Sequence, residues 1–145
     1  MLFYNKHIHQ AFLQLSLIAL LTACSSQGTD LSGKWIDQKD NKNGLRLDKE
    51  GFAWYVNGDK KAGGTGLLRE DGKEVQMKYT MDESKSPMWF DLIVTEKKTG
   101  KEESHLLGII NLIDKDNMEM MLNLDTRDQK FDKENERYSL MKRTK

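Results

Sequence analysis

The chain has 145 residues, with 23 Lys and Arg against 23 Asp and Glu, so its formal net charge is zero. Such an evenly mixed surface provides no electrostatic footprint for nucleic acid or for anionic headgroups. There is one cysteine, which excludes an internal disulfide and any cysteine-based zinc or iron–sulfur site.

The first segment is apolar from Ala11 to Leu21, apart from Gln14 and Ser16, and follows a weakly cationic start at Lys6, His7 and His9. A bilayer span takes about 20 apolar residues, so this run is too short for a transmembrane helix. It closes on Leu21-Thr22-Ala23, and Cys24 comes directly after. The arrangement resembles the lipobox of bacterial lipoproteins. That resemblance implies a signal peptide over residues 1–23, cleavage before Cys24, and acylation of Cys24 as the lipid attachment site. A thiolate is the best side-chain nucleophile for this chemistry. One acyl chain anchors only marginally and two or three hold firmly. Ser25 in place of an acidic residue implies, by the same resemblance, an outer-membrane destination in a two-membrane cell. In the rival reading, a plain secretory signal, Cys24 is incidental.

Residues 24–30 are small and polar and read as a lipidated tether. Residues 31–145 are one domain, long enough for its own core. Taken in order, Leu45 and Leu47 mark a short strand. Phe52 to Val56 is aromatic and β-branched, with Phe52, Trp54 and Val56 on one face. Gly66 to Arg69 and Glu74 to Met81 flank an Asp71-Gly72 hairpin signal. In the second of these runs Val75, Met77, Tyr79 and Met81 alternate with polar residues, the clearest half-buried strand in the chain. Met88 to Thr95 and His105 to Ile113 follow. Beyond the turn at Asp114 to Asn117, Met118, Met120, Leu122 and Leu124 alternate with Glu119, Met121, Asn123 and Asp125. A polar loop from Thr126 to Glu136, with room for one short helix, leads to a last strand around Arg137 to Arg143. About eight short strands at this spacing predict an all-β antiparallel barrel or sandwich.

Leu31-Ser32-Gly33-Lys34-Trp35 resembles the Gly-X-Trp opening of lipocalin-like barrels. Pro87 to Leu92, Gly108-Ile109-Ile110, Asp116 to Met120 and Phe131 after Arg127 resemble, in order and spacing, a group of small bacterial lipocalin-like domains of unknown function. One departure is Arg127-Asp128, where that group often has Arg-Pro. The resemblance implies a single lipocalin-like barrel of about eight strands, with Trp35 closing one end. It carries no catalytic residue.

Candidate chemistry is thin. Ser104 and His105 are neighbours on a strand and point to opposite faces, so they do not form a nucleophile–base pair. The methionines (Met77, Met81, Met88, Met118, Met120, Met121 and Met141) are soft enough for copper, but Met118 and Met120 share a face with Leu122 and read as core filling. Asp37, Asp40, Asn41 and Asn43 lack the spacing of a calcium loop and read as a solvated turn. No metal site and no cofactor are expected. Trp54 and Trp89, with Met77 and Tyr79, are the residues expected to contact a ligand if the barrel is hollow; barrel filling is the alternative. The expected role is a non-catalytic, membrane-anchored envelope module that binds a small apolar ligand or another envelope protein. The alternative is an inhibitor of a secreted hydrolase or protease, with residues 25–30 as the inserting element.

Overall fold

The structure is a computed structural model and describes residues 28–145. The signal segment and Cys24 lie outside the described residues. Ten strands form one antiparallel sheet: β1 (Gly33–Asp37), β2 (Asn43–Leu47), β3 (Ala53–Asn57), β4 (Lys60–Gly63), β5 (Leu67–Leu68), β6 (Glu74–Asp82), β7 (Met88–Glu96), β8 (Glu102–Leu112), β9 (Asn117–Asn123) and β10 (Tyr138–Thr144). Their order is β4-β3-β2-β1-β10-β9-β8-β7-β6-β5. Every ladder joins strands consecutive in sequence except the one between β1 and β10, where Trp35 lies opposite Arg143.

The sheet curls until β3 and β4 meet β6, giving a nearly closed barrel. At this seam Phe52 bridges Lys78. Met77 N donates to Gly64 O at 2.8 Å, and Tyr79 N to Gly51 O at 2.9 Å. Glycine is required at Gly64: its φ is +67°, and a Cβ there would run into the Trp54 indole.

The alternation of β6 and β9 has the period of a barrel wall. Val75 and Met77 are buried on β6, and Met118 and Met120 on β9. The core joins Met77, Met118 and Met120 to Trp35, Leu45, Leu47, Phe90, Leu92, Ile110 and Met141. Phe90 lies opposite Gly108, where a Cβ would meet the Phe90 carbonyl and the Leu122 side chain. Full burial of each such apolar side chain is worth about 1.5–3 kcal/mol.

One end of the barrel is sealed. Trp35 is fully buried, and its Nε1 donates to Leu31 O at 2.8 Å. The Arg143 guanidinium lies over the Trp35 ring, 4.5 Å from its centroid, and donates to Ser32 O at 3.0 Å and Asp30 O at 2.9 Å. Thr29 N and Oγ1 donate to the Glu83 carboxylate at 2.8 and 2.9 Å. Thr29, Asp30 and Leu31 are therefore fastened to this end, although the first two fall within the stretch expected to be tether.

Three details differ from the sequence reading. The sheet has ten strands rather than about eight. The segment Gly33–Asp37, read only as a motif, is a strand, and so is Lys60–Gly63. Leu124, expected on the core face of its strand, is 63% exposed, because β9 ends at Asn123. The segment after it contains no helix. It lies on the outer wall, where Asp132 N contacts Met121 Sδ at 3.4 Å and Phe131 packs edge-on to Tyr138.

Candidate binding site

The end opposite Trp35 is open and holds a cavity of about 300 Å³. Its floor is Leu45, Met120, Leu122 and Met141, contributed by β2, β9 and β10. Tyr55, more than half exposed, stands on the wall. It is paired with Leu45 across the ladder, so it belongs to the inner face. Asp37, Asp40, Asn43 and Ser139 form one side of the rim, and Glu136 and Arg137 the other.

Local hydrogen bonds fix this rim. Asp37 accepts from Lys39 N at 2.8 Å and from Ser139 Oγ at 3.0 Å, joining the β1–β2 turn to β10. Asp40 accepts from Lys42 N at 2.8 Å and Asn43 N at 2.9 Å. The bond from Lys42 N, then those from Asn43, holds the Asp40 carboxyl below the usual carboxylate range. The carboxylate thus caps its own turn, as short acidic side chains commonly do. Among the described residues no group of three or more His, Cys, Asp and Glu is placed to hold a metal ion.

Glu136 and Arg137 are positioned by the outer-wall segment, which is latched at several points. Arg127 grips Asp91 with both nitrogens, at 2.6 and 2.9 Å, and donates to Gly108 O. Burial alone would raise the Asp91 carboxyl; the bonds from Arg127, His105 and the Gly108 amide outweigh it and hold the group below its ordinary value. Further along, Glu119 accepts from Tyr138 Oη at 2.9 Å and Asn111 Nδ2 at 3.2 Å and meets Lys133 at 3.3 Å. Burial, followed by that bond to Glu119, pushes the Tyr138 phenol up to about 12. Arg137 pairs with Asp128 at 3.3 Å.

The four residues to which the sequence assigned ligand contact lie elsewhere. Trp54 is on the outer wall: it pairs with Arg46, whose guanidinium lies 5.8 Å from its ring centroid. Trp89 is also on the outer wall, with Arg127 at 4.4 Å and Lys85 at 4.8 Å from its ring centroid. Inward positions belong to their neighbours Tyr55 and Phe90. Met77 and Tyr79 do face inward, but Met77 is buried in the core. Tyr79 is stacked on Phe90 at 5.7 Å, with its hydroxyl donating to Asp48 O at 2.7 Å. None of the four lines the mouth cavity. Ser104 aligns with Val94 and His105 with Ile93, on opposite faces, and His105 is bonded to Asp91 instead.

Of the cavity residues, the sequence marks Leu45 as part of a short strand, Met120 and Leu122 as core, Tyr55 as a member of the aromatic run from Phe52 to Val56, and Asp37, Asp40 and Asn43 as a polar turn. Their convergence has no linear signature, because β2 and β10 are far apart in the chain. No family model matches this chain, and neither a curated protein nor a solved structure does.

Proposed function

We propose that the protein is an acylated envelope lipoprotein, anchored through Cys24 at the outer membrane, whose lipocalin-like barrel binds a small apolar ligand without chemical change. The mouth cavity carries this reading: about 300 Å³ of space over an apolar floor, at the low end of the range for small-molecule sites. The rest of the interior is filled by Trp35, Phe90 and the methionines. The rim groups are engaged as turn caps and an ion pair that frame the space over the floor, an arrangement that supports a binding role.

Amide shifts recorded during titration with phenylbutanol, a small neutral apolar probe, test the ligand reading. Perturbations are expected at Gly44, Leu122 and Ser139, and Leu122→Trp, which fills the floor, should abolish them. Shifts confined to other parts of the barrel, or none, would refute it. Anchoring is tested separately, by fractionation of Cys24→Ser, which should move from membrane to soluble fraction and stay folded. Retention in the membrane at the wild-type level would overturn the acylation.

A further inference from the structure

We propose that the mouth cavity selects a ligand with a cationic head on a short apolar body, an organic ammonium rather than a neutral lipid fragment or a carboxylate. The inference rests on reading the mouth as a ligand site and adds the ligand's chemical class.

The size limits the body. At the ~30 Å³ that a water molecule occupies in the liquid, the cavity's roughly 300 Å³ holds on the order of ten non-hydrogen atoms. The floor accepts the apolar part, since Leu45, Met120, Leu122 and Met141 offer it no hydrogen-bonding partner except the weakly accepting methionine sulfurs.

The charge above the floor is one-sided in a protein that is otherwise balanced. Asp37, Asp40 and Glu136 line the cavity against a single cation, Arg137, and that guanidinium is already engaged by Asp128 at 3.3 Å. Glu136 has no ion-pair partner among the described residues. Asp37 accepts one bond on each oxygen, from Lys39 N and from Ser139 Oγ, and an ionised carboxylate has about four acceptor sites. Its remaining lone pairs are therefore open to a further donor. A primary ammonium supplies three donors and a compensating charge. A ligand carboxylate meets three like charges and, as its one cation, an Arg137 already paired with Asp128, which disfavours it.

The test is a matched series of phenylbutylamine, phenylbutanol and phenylbutyrate, which share the body and differ in the head. Each is titrated into the acylation-free Cys24→Ser protein and followed by amide shifts at the mouth. At low salt the amine should bind about three- to tenfold more tightly than the alcohol, the range set by one or two partly exposed ion pairs. The acid should bind more weakly than either. The amine's advantage should shrink at high salt, where screening acts within a few ångströms, and Glu136→Gln should lower the amine-to-alcohol ratio. If all three bind at the mouth and the amine has no advantage, the cationic head is refuted while the ligand site stands. If none perturbs the mouth, the ligand reading fails and this proposal fails with it.

Discussion

The two ends of this barrel are built from the same strands by opposite means. At the closed end packing surrounds one indole: Trp35, Leu31, Leu47 and Ala53 are buried, and Arg143 covers the Trp35 ring while bonding two backbone carbonyls. At the mouth the inward residues Tyr55 and Leu122 retain exposure, and polar turns close around a space instead of filling it. The contrast shows that a small barrel need not be wholly hollow or wholly filled. One end is closed by packing around the Trp35 indole, and the other keeps an open space over an apolar floor.

Substitutions should divide along the same line. Trp35→Ala is expected to cost about 3–5 kcal/mol, the usual effect of truncating a buried aromatic, read from denaturant melts. A variant as stable as wild type would remove the distinction between the ends. Next comes the latch that frames the mouth from outside. Asp91→Asn leaves the Arg127 guanidinium without its counter-charge; both groups are partly exposed, so the loss is discounted to about 1–3 kcal/mol from the value for a fully buried pair. The pH dependence gives a sharper reading. The folded Asp91 carboxyl titrates below its ordinary value of 3.8, so its stabilisation is complete above that value and is lost as pH falls through the lowered one. Melts across the acid limb should therefore be flatter for Asp91→Asn than for wild type, and parallel slopes would contradict the pairing.

Tyr138 produces the same effect in the alkaline direction, with a smaller expected magnitude. Its phenol is raised from 10.0 to about 12, so the folded state loses stability as pH rises through that window. Tyr138→Phe should reduce the alkaline slope and cost about 1 kcal/mol at neutral pH, the typical worth of one hydrogen bond. An unchanged alkaline slope would show that the bond to Glu119 is not maintained in solution. The smallest stability effect belongs to the mouth itself. Tyr55→Ala, at a half-exposed position, should change stability by less than about 0.5 kcal/mol, yet weaken phenylbutanol binding severalfold. A large stability loss there would erase the contrast between the ends.

Much of the wall was legible from alternation. Val75 to Met81 and Met118 to Leu122 lie as their period of two requires, and the Asp71-Gly72 signal does join a hairpin, β5 to β6. The face was harder. Phe52, Trp54 and Val56 share a side, but that side is the outer one. The decision comes from the register that sets Ala53 opposite Leu47 and Tyr55 opposite Leu45. Large apolar residues also occupy outer positions: Ile109 and Met121 pair across β8 and β9 on the outer wall and are nonetheless buried. Lys60–Gly63 escaped notice because it buries no apolar side chain; the β3 ladder and its turn hold it in place. The mouth was the least legible element. It needs the Asp37–Asn43 turn and the start of β10 to meet, and no local pattern reports a contact made across nearly the whole chain.

That single long-range ladder has a consequence for how the molecule forms. Hairpins between consecutive strands close short loops, whereas pairing β1 with β10 must first meet the entropic cost of closing almost the full length of the domain. A chain emerging N-terminus first can assemble β1 to β4 and β6 to β9 early. Trp35 then waits with one side uncovered until Tyr138–Thr144 arrives with Arg143. The barrel is thus completed only when β10 arrives, and removing that strand leaves β1 and β9 as open edges and the indole unsealed.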